Sequence, residues 1–306
     1  MGQYVFRRVL QAIVVLWGVS VIVFVLLRLA PSDPITIMLA ETASPEQIAE
    51  ARHQMGFDQP IYVQYVIFME HAAQGNLGES IFYKEPALQV ILNALPNTAI
   101  LSAVAFILSL AVALPVGILS ALHRDTFWDY FGVGLALIGQ ATPPYWLGIM
   151  LILLFSVRLR WLPTSGDFGP QYIILPGITL AAVLMPIVTR LVRSGMLDVL
   201  NEDYVRTARA KGLREQIVIW KHALRNMLIP LVTVLGLQLS SLLGGAVIIE
   251  QVFGWPGVGQ LAVNAISSRD YPVVQADVLV VSFAFVFVNL LVDLLYARLD
   301  PRIRYQ

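Results

Sequence analysis

The sequence predicts an all-α, polytopic membrane protein with six transmembrane helices and a small external helical insertion. Of its 306 residues, 58% are hydrophobic and only 13% are charged, whereas soluble domains carry about 25% charged residues. The apolar residues gather in long runs, each of which as a helix approaches the roughly 30 Å of hydrocarbon in a bilayer. These two observations exclude a disordered chain and a typical cytosolic enzyme.

Charge and cysteine content exclude further classes of protein. Lys plus Arg and Asp plus Glu both number 20, so the net charge is zero and no global field attracts a nucleic acid. The chain contains no cysteine, which excludes disulfides, thiolate nucleophiles and Cys-based metal sites. We therefore expect no nucleic-acid partner and no Cys-based metal site. No two of the four histidines are close enough in sequence to suggest a local zinc pair, and we expect no cofactor or metal site in this chain.

The first apolar run covers residues 9–27 and follows Arg7 and Arg8. Its length exceeds the apolar core of a signal peptide, and no clear small-x-small cleavage site follows it, so it predicts an uncleaved anchor. Five further runs meet the same criterion. They cover residues 98–122, 131–157, 173–192, 228–249 and 278–296.

The distribution of Lys and Arg orients these spans. Six spans place both termini on one side, and 14 of the 20 basic residues fall on that side, which leaves 6 for the other. Because positive charge remains cytoplasmic during insertion, both termini are predicted to be cytoplasmic. The predicted organisation is a cytoplasmic N-terminus with the first span (1–29), an external insertion (30–96) and a core with five spans (97–306).

The external insertion is predicted to contain two helices. Ser44-Pro45-Glu46-Gln47 reads as an N-cap, a proline at the first helical position and a capping-box glutamine, with Ile48 and Met55 on one apolar face and Gly56 as the stop. A second helix is predicted over 61–73, ended by Gly75. The insertion is either a plug that packs on the helix ends or a docking site for an outside partner.

The spans lack the groups that ion-coupled transport or hydrolysis would need. Asp, Glu, Lys and Arg are absent from the second, third and fifth spans, although ion and proton pathways require buried charge. No lysine precedes a Ser or Thr as a P-loop requires, and no histidine lies within a span, so an intramembrane Ser–His pair is disfavoured. The chain is therefore predicted not to be an enzyme, and the driving energy comes from elsewhere.

Prolines are predicted to kink three spans, because each removes a backbone donor and clashes with the preceding turn. They are Pro115 in the second span, Pro143 and Pro144 in the third, and Pro176 and Pro186 in the fourth. Kinks often border a pathway, but they are also common in membrane helices that transport nothing, so these prolines alone do not indicate transport.

The cytoplasmic loop 193–227 carries the strongest local signal. Residues 202–212 predict a short helix with acids at its start, bases at its end and a glycine stop, a distribution that suits the helix dipole. The small residues Thr207, Ala208 and Ala210 would let another protein come close, with Tyr204 as an anchor at the edge. The alternative is a basic helix that rests on anionic lipid headgroups.

Residues 203–212 resemble the Glu-Ala-Ala-x-x-x-Gly segment of the inner-membrane permease subunits of binding-protein-dependent ABC importers, in particular the dipeptide/oligopeptide/nickel/glutathione group. Residues 222–226, with Ile229 and Pro230, continue the match. Arg206 departs from the usual glutamate, and the spacing from Gly212 to Pro230 is longer than in the general pattern.

The resemblance extends over nearly the whole chain. Ser32 stands where the family usually has glycine, which is a mild departure. The segments that carry the resemblance outside the loop are 4–8, 29–34, 56–60, 244–259, 269–272 and 299–304.

The resemblance implies the type I permease fold of ABC importers, in which the helix near 204–212 inserts into a cleft of an ATPase subunit. ATP-dependent closure of that cleft would bias the spans between inward and outward openings, and bulk at Ala208 or Gly212 would prevent docking. The implied coupling residues are Asp203, Tyr204, Arg206, Thr207, Ala208, Ala210, Lys211, Gly212, His222, Arg225 and Asn226.

The external loop 250–277 is implied to form part of the gate and the landing surface for the solute receptor. The alternative for Trp255 and Pro256 is a rigid re-entrant turn that seals the bundle, and Glu250 or Asp270 could simply pair with Arg269. The implied gate or docking residues are Glu250, Phe253, Trp255, Pro256, Gly257, Gly259, Asp270 and Tyr271.

The expected function is that of a pore-forming subunit in a bacterial inner membrane that imports short peptides or peptide-like solutes, including dipeptides, oligopeptides and glutathione. The implied partners are a second homologous permease, two ATPase subunits that bind ATP and Mg, a periplasmic or lipid-anchored solute-binding protein, and the lipid bilayer. Two alternatives stay open: a permease for nickel or a metal chelate, and a membrane scaffold or receptor that translocates nothing.

Overall fold

The computed structural model describes residues 2–29, 44, 46, 47, 50, 53 and 58–299. In this part of the chain the regular structure is helical, apart from one isolated antiparallel bridge between Glu79 and Pro86. The all-α prediction is therefore confirmed. The α-helices are α1 (Gly2–Leu29), α2 (Ile61–Ala73), α3 (Ala87–Leu122), α4 (Phe127–Ala141), α5 (Pro144–Leu151), α6 (Ile174–Leu200), α7 (Asp203–Ala210), α8 (Glu215–Ile217), α9 (Leu224–Phe253), α10 (Val258–Ser267) and α11 (Tyr271–Leu299).

Three other helical segments connect these elements. A π-helical segment, Ile152–Arg158, continues α5, and a 3-10 turn, Pro170–Ile173, precedes α6. A second π-helical segment, Val218–Ala223, leads from α8 into α9. Wider π turns are rare and occur mostly as short insertions within α-helices.

The number of spans depends on how two bent helix pairs are counted. Among the described residues, four helical segments are long and apolar enough to cross a membrane: Phe6–Leu29, Ala87–Leu122, Pro170–Leu200 and Tyr271–Leu294. The number rises to six if each bent pair forms one span. One pair joins α4 to α5 and the first π segment, and the other joins the end of α9, from Ala246, to α10.

The third predicted span, 131–157, is broken rather than merely kinked. Helix α4 ends at Ala141, α5 begins at Pro144, and the two halves meet at 101°. Two consecutive prolines donate no backbone hydrogen bond, so the first helix cannot continue through them. Thr142 closes α4, because its backbone N–H and its Oγ1 both donate to the Ile138 carbonyl, at 3.0 and 2.7 Å.

The other prolines do not interrupt their helices. Pro115 lies inside the continuous helix α3, and Pro186 lies inside α6. Pro176 occupies the first turn of α6, where a missing backbone donor costs no hydrogen bond. The third span is therefore interrupted at its prolines, whereas the helices of the second and fourth spans run on through theirs. The kinks expected in those two helices stay a prediction.

The two predicted features of the external insertion that fall on described residues are confirmed. The Ser44 N–H donates to Gln47 Oε1 at 2.8 Å, and the Gln47 N–H donates to Ser44 Oγ at 3.4 Å, which is a capping box. Helix α2 has the predicted bounds, and the chain turns at Gly75 with φ of +79°. The predicted roles of Ile48, Met55 and Gly56 lie outside the described residues.

The chain divides into two compact units. The first contains Thr98–Pro256 and the end of α11 from Val288, with buried side chains from α3, α6 and α9 that include Leu101, Leu184 and Leu231. The second contains Gly2–Asn97 and Gly257–Phe287. Its core includes Ala87, Ile91, Leu261 and Val273.

Glycines allow close helix contacts within the first unit. A Cβ atom at Gly236 of α9 would overlap the side chain of Val292 in α11, and one at Gly117 of α3 would lie 2.8 Å from the Thr189 carbonyl of α6. Small residues at such positions are typical of membrane helix pairs, because they let the backbones approach closely.

Candidate functional site

Helix α7 forms where the sequence predicts the short loop helix. It covers Asp203–Ala210, and Lys211 follows as the cap. Gly212 then adopts φ of +74°, a conformation that costs a residue with a Cβ about 1–2 kcal/mol. The Gly212 N–H donates to the Arg209 carbonyl at 2.9 Å, which ends the helix. The predicted glycine stop is confirmed.

One face of α7 packs inside the chain. Val205 is fully buried, Ala208 is 5% exposed, and both cluster with the fully buried Val218 of the second π segment. The half-buried Val199 and Leu200 of α6 pack against the same cluster. The expectation that Ala208 offers an open surface is therefore wrong, because its small side chain lets α7 approach its own loop.

The opposite face of α7 is open. Tyr204 is 38% exposed, and an exposed ion pair joins Arg206 to Asp203 at 3.4 Å. No described heavy atom lies within 4 Å of a Cβ built on Gly212. The predicted coupling residues that are exposed in this region are Asp203, Tyr204, Arg206, Thr207, Ala210, Lys211 and Gly212.

An ion pair that the sequence analysis missed closes the loop after α7. Arg209 Nη2 donates to Glu215 Oε1 at 2.6 Å, which links the end of α7 to α8. The hydrogen bond from Arg209 lowers the pKa of Glu215 below its ordinary value. Opposite charges on either side of a glycine stop were the available signal, but neither residue alone suggests a role.

The remaining predicted coupling residues lie where the loop enters the membrane core. His222 belongs to the second π segment, while Arg225 and Asn226 start α9. Asn226 Nδ2 donates to the His222 carbonyl at 3.3 Å, and Arg225 is exposed. The structure thus brings the π segment beside α7 through Val218, and these three residues continue from it into α9.

A second missed interaction holds the C-terminal half of α6. Arg193 donates to Asp129 in a bidentate pair, with Nε to Oδ1 at 2.6 Å and Nη2 to Oδ2 at 2.7 Å. The Asp129 side chain is 3% exposed and that of Arg193 is 26% exposed. Asp129 also accepts the Asp125 N–H at 3.1 Å. The pair joins the start of α4 to α6, a contact between residues too distant in sequence for a local pattern to reveal.

The turn after α9 is built from internal contacts. Helix α9 ends at Phe253, Gly254 adopts φ of 55°, and the Trp255 N–H donates to the Glu250 carbonyl at 2.9 Å. The Phe253 carbonyl accepts the Gly166 N–H at 3.1 Å. Phe253 and Trp255 are 2% and 5% exposed, so within this chain they favour the rigid turn over a landing surface for a receptor.

The two predicted gate carboxylates are buried rather than displayed. Glu250 is fully buried and accepts a hydrogen bond from Thr98 Oγ1 at 2.6 Å. Asp270 is 1% exposed and accepts hydrogen bonds from Ser80 Oγ and the Ile81 and Phe82 N–H groups, at 2.5, 3.2 and 3.2 Å. Asp270 therefore fixes the 80–82 turn to the start of α11, and the suggested pairing with Arg269 is wrong for Asp270.

The other predicted gate residues frame the turn. Pro256 and Tyr271 are half-buried, whereas Gly257 and Gly259 are buried at the start of α10. Among the described residues, no group of three or more His, Asp or Glu side chains could hold a metal ion.

Comparison with known proteins identifies the family. Residues 113–305 match the family described as "Binding-protein-dependent transport system inner membrane component", and residues 1–102 match the corresponding N-terminal family. The chain belongs to this family. It is thus an inner-membrane permease of an ABC importer, which confirms the resemblance carried by the loop and flanking motifs.

Curated relatives match the permease over its full length. It is 42% identical to "Glutathione transport system permease protein GsiC" of Salmonella paratyphi A. It is 41% identical to "Di/tripeptide transport system permease protein DppB" of Pseudomonas aeruginosa. Both alignments cover 100% of this chain and 100% of the relative.

A solved structure shares the fold. A chain of the inward-facing MetNI methionine ABC transporter matches with a TM-score of 0.60 and 19% identity, over 71% of this permease and 99% of that chain. At this identity the likeness shows the fold alone, and the predicted type I permease fold is confirmed.

Proposed function

We propose that this permease forms part of the translocation pathway of an importer for short peptides or peptide-like solutes, such as dipeptides, oligopeptides or glutathione. The observation that carries the proposal is the full-length identity of about 40% to permeases named for glutathione and di/tripeptide transport. The ordered match along the whole chain supports a shared pathway as well as a shared fold.

The proposed assembly contains a second homologous permease, two ATPase subunits and a periplasmic or lipid-anchored solute-binding protein. ATP and Mg bind in the ATPase subunits, because the sequence of this chain contains no P-loop lysine followed by Ser or Thr. The family is described as part of a binding-protein-dependent transport system, which supports the presence of a solute-binding protein in the assembly. This subunit itself performs no chemistry.

The open face of α7 is proposed to dock into an ATPase subunit. Its polar, exposed side chains suit a contact with a partner cleft that closes and opens during ATP hydrolysis. Gly212 has no side chain, which leaves room for the partner beside the end of the helix. The buried face ties α7 to Val218 and to the end of α6. A displacement of α7 by the ATPase would therefore move α6 and, through the π segment, α9. Such a movement would bias the spans between inward-facing and outward-facing openings.

Transport and scaffolding predict different results for the purified complex. The permease is reconstituted with its ATPases and partner permease, and solute uptake and ATP hydrolysis are measured with loaded binding protein. A peptide importer should accumulate labelled dipeptide or glutathione and hydrolyse ATP faster. Uptake of nickel alone would favour a metal-chelate system, and neither uptake nor stimulation would favour a scaffold.

Two substitutions at Gly212 test the docking of α7. Gly212→Ala introduces backbone strain at φ of +74° without bulk, while Gly212→Trp adds bulk where no described atom of this chain interferes. If α7 docks at this point, the Trp variant should lose uptake far more than the Ala variant, with equal membrane insertion. Equal uptake by both variants would contradict docking there. Ala208→Arg is unsuitable, because Ala208 is buried within the loop.

A further inference from the structure

Helix α2 is apolar on most of its surface, yet little of that surface is covered by protein. Of its thirteen residues only Gln64, Glu70 and His71 have charged, amide or imidazole side chains, and none of the thirteen is buried. Tyr62 is 68% exposed and Val66 is 63% exposed. A helix that is hydrophobic nearly all round normally lies in a protein core or in a membrane.

One face of α2 packs against the second half of α1. Tyr65 Oη and Ser20 Oγ share a hydrogen bond of 2.8 Å. The Phe24 ring lies 5.3 Å from the Tyr65 ring and 5.5 Å from the Phe68 ring, centroid to centroid. Arg28 Nε donates to Gln64 Oε1 at 2.8 Å. These contacts lie along the side of α1 and do not cover its end.

The contacts reach well into the apolar span of α1. That span is Phe6–Leu29, so Ser20 and Phe24 lie inside it, and Ser20 lies about 12 Å along the axis from Arg28. The Arg28 guanidinium, at the end of the span, lies over the Phe24 ring at 4.5 Å in a cation–π contact. Helix α2 therefore sits at the depth where a bilayer begins.

Each of the two helices also carries exposed apolar side chains on a side turned away from the other helix. Ile22 and Leu26 of α1 are 59% and 61% exposed within a membrane span. Tyr62 and Val66, four residues apart on one side of α2, point away from Gln64 and Phe68, which contact α1. Because α2 lies beside the apolar span of α1, the same surroundings that meet Ile22 and Leu26 are expected to meet Tyr62 and Val66.

We propose that α2 lies in the outer leaflet of the bilayer beside the last turns of α1, with Tyr62 and Val66 against acyl chains and His71 in water. Part of the external insertion is then a membrane element and not a water-exposed cap. The assignment to the outer leaflet depends on the proposed cytoplasmic N-terminus, whereas the contact with lipid does not.

Spin labelling tests the contact directly, since the chain has no cysteine of its own. Tyr62→Cys, Val66→Cys and His71→Cys variants of the full chain, assembled with its partners, carry a nitroxide in lipid vesicles. Power saturation then compares collisions with oxygen, which concentrates in lipid, and with a nickel chelate, which remains in water. Ile22→Cys on α1 serves as the lipid-facing reference.

The oxygen collision rate should exceed the nickel rate several-fold at positions 62 and 66, as at position 22, and the ratio should reverse at position 71. High nickel access at 62 and 66 would overturn the proposal in favour of a water-exposed helix. Low access to both reagents would overturn it in favour of a protein partner. Positions 62 and 66 report on lipid contact independently, so the test still stands if one of the two variants inserts poorly. Solute uptake by each variant confirms that it has assembled with its partners.

Discussion

Asp129 and Arg193 form the most buried ion pair among the described residues, and each charged side chain relies on the other for its hydrogen bonds. Removing the carboxylate leaves a partly buried guanidinium without its bidentate acceptor. Such losses cost about 3 kcal/mol, less where water reaches the remaining charge. We therefore expect Asp129→Ala to lower the thermal unfolding midpoint of the purified complex clearly.

The matched control is Asp198→Ala, which removes an exposed carboxylate from the same helix as Arg193 and should leave the midpoint nearly unchanged. The double variant Asp129→Ala with Arg193→Met should recover part of the loss, because no charge then remains buried. If the double variant is no more stable than Asp129→Ala, the pair is not the cause.

The sequence predicted the surroundings of the carboxylates at 250 and 270 less well than it predicted the exposure of the polar side chains of α7. The family resemblance implied that Glu250 and Asp270 lie at the gate or on the surface where the receptor docks. Instead each is buried with hydroxyl or amide donors, Thr98 for Glu250 and the 80–82 turn for Asp270. Burial of a charge requires partners from distant residues, and such partners have no local pattern in a single sequence.

At the scale of helices, the approach of α9 to α11 gives a sharp test. Gly236→Ala would place a methyl group into the Val292 side chain, and overpacking of this kind costs about 1–3 kcal/mol. We expect a lower unfolding midpoint and reduced yield of folded permease in detergent.

Gly134→Ala in α4 is the matched control, because no described heavy atom lies within 4 Å of the added carbon. Replacing a helical glycine with alanine should by itself gain about 0.5–1 kcal/mol. The two alanine variants should therefore shift the midpoint in opposite directions, and shifts in the same direction would contradict the packing of α9 on α11.

The ion pair after α7 predicts a response to acid. Because Arg209 lowers the pKa of Glu215, the pair stabilises the loop fully above the ordinary glutamate pKa of about 4.3, and this contribution is lost as the pH falls through the lowered value. With both side chains about half exposed, the effect is about 0.5 kcal/mol. A nitroxide at Leu213→Cys should therefore gain mobility only below about pH 4.

The variant Glu215→Gln carries no titrating carboxylate at that position. Its loop should be mobile at neutral pH and should change little on acidification. A loop that responds to acid equally in both forms would show that groups other than Glu215 control it.

Local signals predicted the elements that depend on neighbouring residues. The capping box at Ser44 and Gln47, the bounds of α2 and the glycine stop after α7 all follow from residues within one or two turns. The break at 142–143 was anticipated only as a kink, since proline spacing does not give an angle. The two π segments and the burial of Ala208 had no sequence signal, because both depend on packing between helices.

For the whole molecule, the balance of basic residues predicts that both termini are cytoplasmic. A fluorescent protein that folds only in the cytoplasm should therefore fluoresce when fused after Gln306. Alkaline phosphatase, which is active only outside, should be inactive at that position and active when inserted at Gly75. A phosphatase that is active at the C-terminus would reverse the topology while leaving the fold unchanged.

The family was predictable from sequence because its motifs occur in order along the whole chain, and full-length relatives confirm it. The count of spans was less certain, since composition cannot distinguish a straight span from a bent pair. Of the six apolar runs, four lie in the long helical segments and the third corresponds to the pair bent by 101°. The fifth run, 228–249, lies within α9, and only its last residues belong to the pair bent by 75°. The first bend arises at Pro143, within its apolar run, and the second arises at the Gly254 turn, after the fifth run.

The π-helical segment Val218–Ala223 bears on how this part of the chain tolerates insertions and deletions. A π turn holds one residue more than an α turn, so the segment accommodates extra length between Gly212 and Pro230 without an irregular loop. A variant of this chain that gains or loses a single residue here can widen or tighten one turn and keep the downstream helix continuous. Each inserted or deleted residue that the π turn does not accommodate would rotate α9 by about 100° about its axis relative to α7. The tolerated changes in length are therefore those that a π turn can hold.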